Sequence, residues 1–512
     1  MVIGAGMGGL SCAIDLARAG FAVTVLEQSA APGGKMRQVM VGGRPVDAGP
    51  TVLTMRWVFD ELFAAAGRSL DRAVSLRPID ILARHVWPDE SRLDLFADTD
   101  RATEAIGAFA GSAEAAGFRA YRAMSGRIHD LLRDRFLNAQ ATGPLGLAGR
   151  FGAGRLGDLF ALRPFDTLWD VLGDYFQDPR LRQLFGRYAT YCGSSPFLAP
   201  ATLMMISHVE QQGVWTVDGG LGRLAAALEA AARSLGVTFL YERAAASIDC
   251  AEGRACAVIA ADGERFAADR VVFNGDPQAL ASGLLGDGPL RAVPPGAARS
   301  LSAVTWAIAA PARGFPLVRH NVFFSGDYRA EFEDIRAHGR FPAVPTIYVC
   351  AQDRDDRAEP LHGPERLLVL INAPANGDQP SLDPAELSAC ERRVFDRLAH
   401  RGLILQDDPM TRTVATPETF AALYPATGGA LYGQATHGWA AAFRRPGAAS
   451  RIPGLYLAGG GVHPGAGAPM ATLSGRLAAR RLMADLASTR PFRRVAMSGG
   501  MSTRSATTGA TG

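Results

Sequence analysis

Lysine is almost missing from this chain. Among the 53 basic residues in 512, Lys35 is the only one that is not arginine. Arginine-biased codon usage accounts for such a skew, and it singles out the loop where one lysine is kept. An excess of charge of one sign is missing too. The 53 basic and 50 acidic residues leave a net charge of +3, which excludes a polybasic nucleic-acid binder. The six cysteines, at 12, 192, 250, 256, 350 and 390, form no Cys-x-x-Cys pair and no Cys/His cluster at zinc spacing. We therefore expect reduced thiols and no metal site, with Cys250 and Cys256 flanking a turn. Long apolar runs are absent as well. The longest stretch without formal charge, residues 452–475, holds seven glycines and three prolines in 24 residues. That composition suits a loop offering its backbone, not a membrane-spanning helix. A glycine motif begins at Gly4 and no basic residue precedes Arg18, so no secretory signal of the usual form is expected.

What is present describes a foldable chain, 48% hydrophobic with 58 glycines and 31 prolines. A prior of roughly 150 residues per domain suggests about three units, or two large interleaved ones. At the N-terminus Gly4-x-Gly6-x-x-Gly9 stands between Val2-Ile3 and a helical repeat of Leu10, Ala13, Ile14 and Ala17. Gly20 then closes the helix, and the β-branched run 21–26 ends on Glu27. This is strand, glycine turn, helix, strand. Only three residues precede Gly4, against about five or six in a usual strand, so we expect the natural start to lie upstream. Residues 84–96 read as a hairpin around Pro88-Asp89, and residues 102–136 as helix with a core stripe from Phe118 to Leu132. Residues 144–212 read as helices broken by glycine and proline. A second αβ unit opens at Gly219, and a last strand–loop–helix runs from 454, with its helix over 471–482.

In the fingerprint, Gly4 makes the tight turn, Gly6 admits a pyrophosphate and Gly9 lets helix pack on strand. The phosphates rest on the helix N-terminus, while Glu27 accepts from ribose hydroxyls and disfavours a 2′-phosphate. The same chain supplies a control. Gly152-Ala-Gly154-Arg-Leu-Gly157 fits the pattern but follows no strand, so it is read as a loop. One dinucleotide site without a nicotinamide cosubstrate domain points to a bound flavin. Gly33, Gly34, Lys35 and Met36, then Gly49, Pro50 and Thr51, provide glycine-rich backbone for an elongated FAD. Gly459, Gly460, Gly461, Pro464, Gly465 and Met470 form a second glycine loop before a helix, suited to an isoalloxazine and its developing negative charge.

Taken in order, the fingerprint, Pro-Gly-Gly-Lys, Asp-Ala-Gly-Pro-Thr, Gly213-Val-Trp215 with Gly219-Gly220, Asn274-Gly-Asp276 and the C-terminal glycine loop resemble the bacterial-type phytoene desaturase family of carotenoid dehydrogenases, over about residues 1–485. Residues 49–57 and 188–197 look most like its hydroxycarotenoid 3,4-desaturase, or methoxyneurosporene dehydrogenase, branch. An acid that amine oxidases carry after the C-terminal glycine is Gly460 here, which favours the carotenoid branch. The resemblance implies an α/β fold: a Rossmann-like FAD-binding domain of the glutathione reductase and amine oxidase type, interleaved with an α+β substrate domain. It divides the chain into 1–75, 216–285 and 426–490 for FAD, 76–215 and 286–425 for the substrate and membrane-facing part, and a disordered tail over 491–512.

It further implies FAD-dependent 3,4-desaturation of an acyclic C40 carotenoid bearing a 1-hydroxy or 1-methoxy end, as in spheroidene- or spirilloxanthin-type biosynthesis. Flavin N5 takes the hydride, so no side-chain base needs to start the reaction. His463, beside the flavin loop, is a candidate proton acceptor, and a structural histidine is the competing reading. Tyr188, Tyr191 and His208 are candidate contacts for the substrate hydroxyl, against plain core roles. Leucines and phenylalanines alternating with Arg150, Arg155 and Arg163 suggest an interfacial segment or a lid. Expected partners are the carotenoid, the surface of the inner (intracytoplasmic) membrane from the cytoplasmic side, and oxygen or a quinone as electron acceptor. Phytoene desaturation, a flavin-dependent carotenoid isomerase or an oxygenase on the same scaffold, and a non-catalytic prenyl-binding protein are the alternatives.

Overall fold

The computed structural model describes residues 1–152, 156–296, 298–357, 359, 361–379, 383–406 and 409–489. Five short strands, Leu455–Leu457, Val271–Phe273, Val2–Ile3, Thr24–Leu26 and Thr238–Leu240, lie side by side in that order, all parallel. Their order in the chain is therefore 5-4-1-2-3 across the sheet, so it is wound outward in both directions from the first strand. The three strands Leu455–Leu457, Val271–Phe273 and Val2–Ile3 are buried throughout, while Thr24 is half-buried and Thr238, on the edge strand, is exposed. Val2 and Ile3 suffice for the central strand because each pairs on both sides, Val2 with Val25 and Val272. Helix Met7–Arg18 packs between helices Gly222–Ser234 and Ala468–Thr489. The expected α/β class is thus the one observed.

Between the third and fourth strands the chain makes an antiparallel sheet of Ala245–Ala251, Arg254–Ala260 and Arg265–Ala267, with a turn at Asp262-Gly263 between the last two. Cys250 and Cys256 lie on its first two strands, and all six cysteines are free. A separate seven-stranded sheet runs Arg412–Ala415, Ser302–Ala310, Glu365–Ala373, Ile347–Ala351, His320–Phe323, Ile81–Val86, Arg92–Phe96. One of its faces is sealed by helix Pro384–His400 through Val394 and Leu398 against Trp306, Val349 and Val369. The other carries His320, Val322, Tyr348, Leu368 and Leu370 toward a cavity. Over that cavity lie the helices of 99–211, packed on Phe118, Tyr121, Phe176 and Phe185.

Two local expectations are corrected. The helix expected over 102–136 is two, Thr99–Ala110 and Ser112–Leu132, because Gly111 at φ +100° breaks it, and the wider turn Arg133–Leu137 follows. The last helix begins at Ala468 rather than 471, since Pro469 fits a first helical turn. In the segment over 144–162, expected to be interfacial or a lid, Leu147, Phe151 and Leu162 are buried while Leu145 is 89% exposed, so its described residues carry features of both. Gly154 of the decoy motif and the tail over 491–512 lie outside the described residues. Among the described residues no helix is long and apolar enough to cross a membrane.

Helices Met7–Arg18 and Ala468–Thr489 approach closely because Gly475 lies against Gly8 and Ser11, and Ser11 donates to the Thr472 carbonyl at 2.9 Å. A Cβ at 475 would overlap the Gly8 carbonyl. Gly475→Leu should therefore destabilise the protein by about 3 kcal/mol or more, read as a lowered midpoint in urea unfolding.

Candidate cofactor and substrate site

Strand order reverses beside Val2–Ile3, and a crevice opens there at the carboxyl ends of the strands. Three loops meet in it, the ones following Ile3, Phe273 and Leu457. Asn274 holds them together. Its Nδ2 donates to the Gly4 carbonyl at 3.1 Å. A Cβ on Gly8 would stand 2.5 Å from Asn274 Oδ1 and 2.7 Å from Gly459 N, so both glycine loops touch the one amide. Gly4 and Gly459 also require φ of +95° and +107°, which side chains disfavour. Helix Met7–Arg18 starts here with no side-chain cap and no acid in its first turn. Its N-terminal N–H groups and the positive end of its dipole are left for an external anion.

The expected residues around this point converge. Gly33 N donates to the Ala5 carbonyl at 2.9 Å, and a Cβ on Gly34 would lie 3.3 Å from the Cα of Gly6. Glu27, 5% exposed, accepts from Ala5 N at 2.6 Å with one oxygen and from Ser29 N at 2.9 Å with the other. The carboxylate is thereby fixed, and its remaining lone pairs are free for ribose hydroxyls. Gly49 sits against the Lys35 carbonyl where no Cβ would fit, and Met36 is buried. Asp47, just before it, is clamped by Gln352, whose Oε1 accepts from Asp47 N at 3.0 Å and whose Nε2 donates to its carbonyl at 2.8 Å. Glycine cradles, an uncapped helix end and an oriented acid together fit an elongated dinucleotide.

Lys35 turns inward. Its Nζ donates to the Leu431 carbonyl at 2.6 Å and lies 5.0 Å from the centre of the Tyr424 ring. Burial lowers its pKa to about 8; Asp276 opposes that shift and Arg445 adds to it. Arg445 itself, 5% exposed, was not anticipated from the sequence. It donates to the carbonyls of Gln434 at 2.8 Å, Gly460 at 3.1 Å and Tyr432 at 3.3 Å. Burial lowers its pKa, and Cys192 and Asp276 hold it up. A positive charge therefore stands behind the second glycine loop. Gly461 packs on Pro277, and Pro464, Gly465 and Met470 face a cavity of about 510 Å³.

That cavity runs from the glycine loop, past Gly49, Pro50 and Thr51, between the seven-stranded sheet and the helical lid. Its lining is mostly aliphatic and aromatic and reaches the surface at Phe165, 79% exposed, and Trp439, 46% exposed, which meet edge-on at 5.8 Å. A polar patch interrupts it. Tyr188 and Tyr191 both donate to Glu210, Tyr191 at 2.7 Å. Burial raises the pKa of Glu210; the two tyrosines and Arg187 oppose that shift. Arg187 lies over the rings of Tyr191 and Tyr348. Tyr348 shares hydrogen bonds of 2.7 Å with Thr51 and with His320 Nδ1.

The structure separates the other candidates. Tyr191 lines the cavity but its hydroxyl is committed to Glu210, and Tyr188 is 4% exposed with the same partner. His208 faces a different groove with Arg122, Gly126 and Asp130, its ring tilted against that of His129 at 5.0 Å. His463 does not line the cavity. Its Nε2 donates to the carbonyls of Phe136 at 2.9 Å and Ala139 at 3.0 Å, which ties the glycine loop to the turn Arg133–Leu137. With Nε2 donating to two carbonyls, Nδ1 is the nitrogen left to take a proton, and because the ring is not among the cavity-lining residues these contacts favour the structural reading of His463.

A family model for flavin-containing amine oxidoreductases matches residues 7–483. The chain is 52% identical to a hydroxyneurosporene desaturase of Rubrivivax gelatinosus, over 99% of this chain and 98% of that one. It is 48% identical to the protein of the same name from Cereibacter sphaeroides, over 95% and 98%. A 4,4'-diapolycopene oxygenase of Methylomonas sp is 30% identical over 95% and 98%. In fold the chain is similar to a putrescine oxidase redesigned in its cofactor binding, at TM-score 0.58, 13% identity and coverage of 95% and 98%. An oxidoreductase from Methanosarcina mazei superposes at TM-score 0.56, with 15% identity and coverage of 94% and 99%.

With one lysine in the chain, reductive methylation with carbon-13 formaldehyde labels Lys35 and the N-terminal amine alone. Its resonance should titrate near pH 8 in ligand-free protein. Because its pKa is depressed by folding, unfolding should return it to about 10.4. Stability should therefore rise with pH between those values, a rise that Lys35→Gln removes.

Proposed function

Since the chain belongs to the flavin-containing amine oxidoreductase family and takes FAD as its cofactor, we propose that it is a carotenoid desaturase. In this reading it introduces the 3,4 double bond into an acyclic C40 carotenoid that already carries a 1-hydroxy or 1-methoxy end. Identity of about one half to hydroxyneurosporene desaturases along almost the whole chain supports it. The observation that carries it is the apolar cavity that ends on the second glycine loop.

Residues 1–75, 216–285 and 426–490 act as the cofactor-binding part, and 76–215 and 286–425 as the substrate part. Gly4, Gly6 and Gly9 bring the N–H groups of helix Met7–Arg18 to the pyrophosphate, and Glu27 receives the ribose hydroxyls. Gly33, Gly34, Lys35, Met36, Gly49, Pro50 and Thr51 flank the extended part. Gly459, Gly460, Gly461, Pro464, Gly465 and Met470 border the ring. Bound FAD supplies a two-electron acceptor, reoxidised by oxygen or a quinone. Arg445 behind Gly460 favours the negative charge that reduction brings. The lid and sheet hold the polyene in a dry, extended groove, so that one carbon pair is presented and water is excluded.

Phe165 and Trp439 expose apolar surface at the cavity mouth, and Leu145, exposed too, follows the lining residue Pro144 in the chain. We place this mouth against the cytoplasmic face of the inner membrane, from which a water-insoluble substrate can enter. Phe165→Asp combined with Leu145→Asp should reduce cosedimentation with anionic vesicles several-fold while leaving the flavin spectrum intact. Incubation of FAD-loaded protein with a 1-hydroxylated acyclic carotenoid should move its absorption to longer wavelength by one conjugated double bond. An unchanged chromophore length would point to isomerisation instead, and equal turnover of phytoene to a general phytoene desaturase.

A further inference from the structure

One buried polar atom in the cavity wall has nothing to bond to. His320, at the start of strand His320–Phe323, is 2% exposed and lines the cavity. Its Nδ1 is engaged by the Tyr348 hydroxyl at 2.7 Å, and its Nε2 is buried without a partner. Leaving a buried ring nitrogen unpaired costs about 1–3 kcal/mol. Among the described residues, no other side chain with such an unpartnered buried atom lines this cavity. The neighbouring polar groups are taken. Thr346 Oγ1 donates to Glu331 at 2.7 Å, Asn372 Nδ2 to the same carboxylate at 3.3 Å, and the hydroxyls of Tyr191 and Tyr348 are bonded as described.

We infer that His320 Nε2 is the hydrogen-bond partner of the tertiary hydroxyl on C1 of the substrate, and so sets which carotenoids are accepted and how far they thread. This deepens the proposed function and rests on it. The position agrees with the chemistry. C1 is two carbons from the C3–C4 bond, so an anchor for its hydroxyl has to stand close to the reacting end of the groove. His320 does, because Tyr348 links it to Thr51, in the segment that follows Gly49 and Pro50 beside the cofactor crevice. The partner needed is an uncharged one. Burial, then Arg319 and Arg187, hold the imidazole far below its ordinary pKa and therefore neutral. A neutral ring offers one donor or one acceptor at Nε2, and an alcohol can complement either. A purely hydrocarbon end would leave the nitrogen as it is here, unpaired.

The test uses FAD-loaded enzyme and two acyclic C40 carotenoids that differ only in the hydroxyl on C1. Dissociation constants come from the carotenoid absorption shift on binding, alongside KM and kcat. The unsubstituted protein should prefer the hydroxylated compound by roughly ten- to a hundredfold. In His320→Leu that preference should vanish, through weaker binding and a higher KM for the hydroxylated compound only. His320→Gln, which keeps a donor and an acceptor, should restore most of it. A His320→Leu enzyme with normal flavin content and melting temperature that still discriminates would overturn the inference. No preference in the unsubstituted protein would overturn the proposed 3,4-desaturation itself, which keeps the two failures apart.

Discussion

The whole arrangement depends on how closely three backbones approach at the carboxyl end of the parallel sheet. The loops after the first, fourth and fifth strands come within contact of the Asn274 amide, and only glycine at 4, 8 and 459 allows it. Because the strands are adjacent, their loops arrive together without long excursions, even though they lie some hundreds of residues apart in sequence. The cofactor crevice is thus a property of strand order. The cavity then follows from what the two insertions between these strands do, one supplying the lid and part of the sheet, the other the rest of the sheet.

The fold was legible where a local pattern carries its own geometry. The glycine spacing, the apolar helix face and the acid ending the second strand are all satisfied within 27 residues, so no distant partner had to be known. The decoy glycine motif could be set aside because its flanks lack that context. The polar wall of the cavity was not legible, because His320, Tyr348, Arg187 and Thr51 meet only through tertiary packing. A hint was present in the strand around 346–350, where Thr346 and Tyr348 alternate with apolar residues and so share one face. For His463 nearness in sequence to a glycine loop says nothing of ring direction, and its Nε2 meets the carbonyls of Phe136 and Ala139, in keeping with the structural role that competed with proton acceptance. Tyr188 and Tyr191 read as hydroxyl donors for a ligand, and the glutamate that claims both is some twenty residues on.

The near-exclusive use of arginine suits the buried positions it occupies. Arg445 satisfies three carbonyls at once, and Arg187 stacks on two tyrosine rings, arrangements that a planar fork of donors allows and an ammonium does not. Cationic charge is thereby carried into an apolar interior without a matching carboxylate for each residue.

The contact of His463 with the turn Arg133–Leu137 is joined by a second, from Gln140 Nε2 to the Leu477 carbonyl at 2.9 Å. Together they rivet the glycine loop and its helix to the segment whose Leu132, Phe136 and Leu137 form one wall of the cavity. Two compartments sharing a wall are thermodynamically reciprocal: whatever occupancy of the loop does for the groove, occupancy of the groove does equally for the loop. Any difference that a filled groove makes to the affinity for the cofactor is then matched by an equal difference that the bound cofactor makes to the affinity for the polyene.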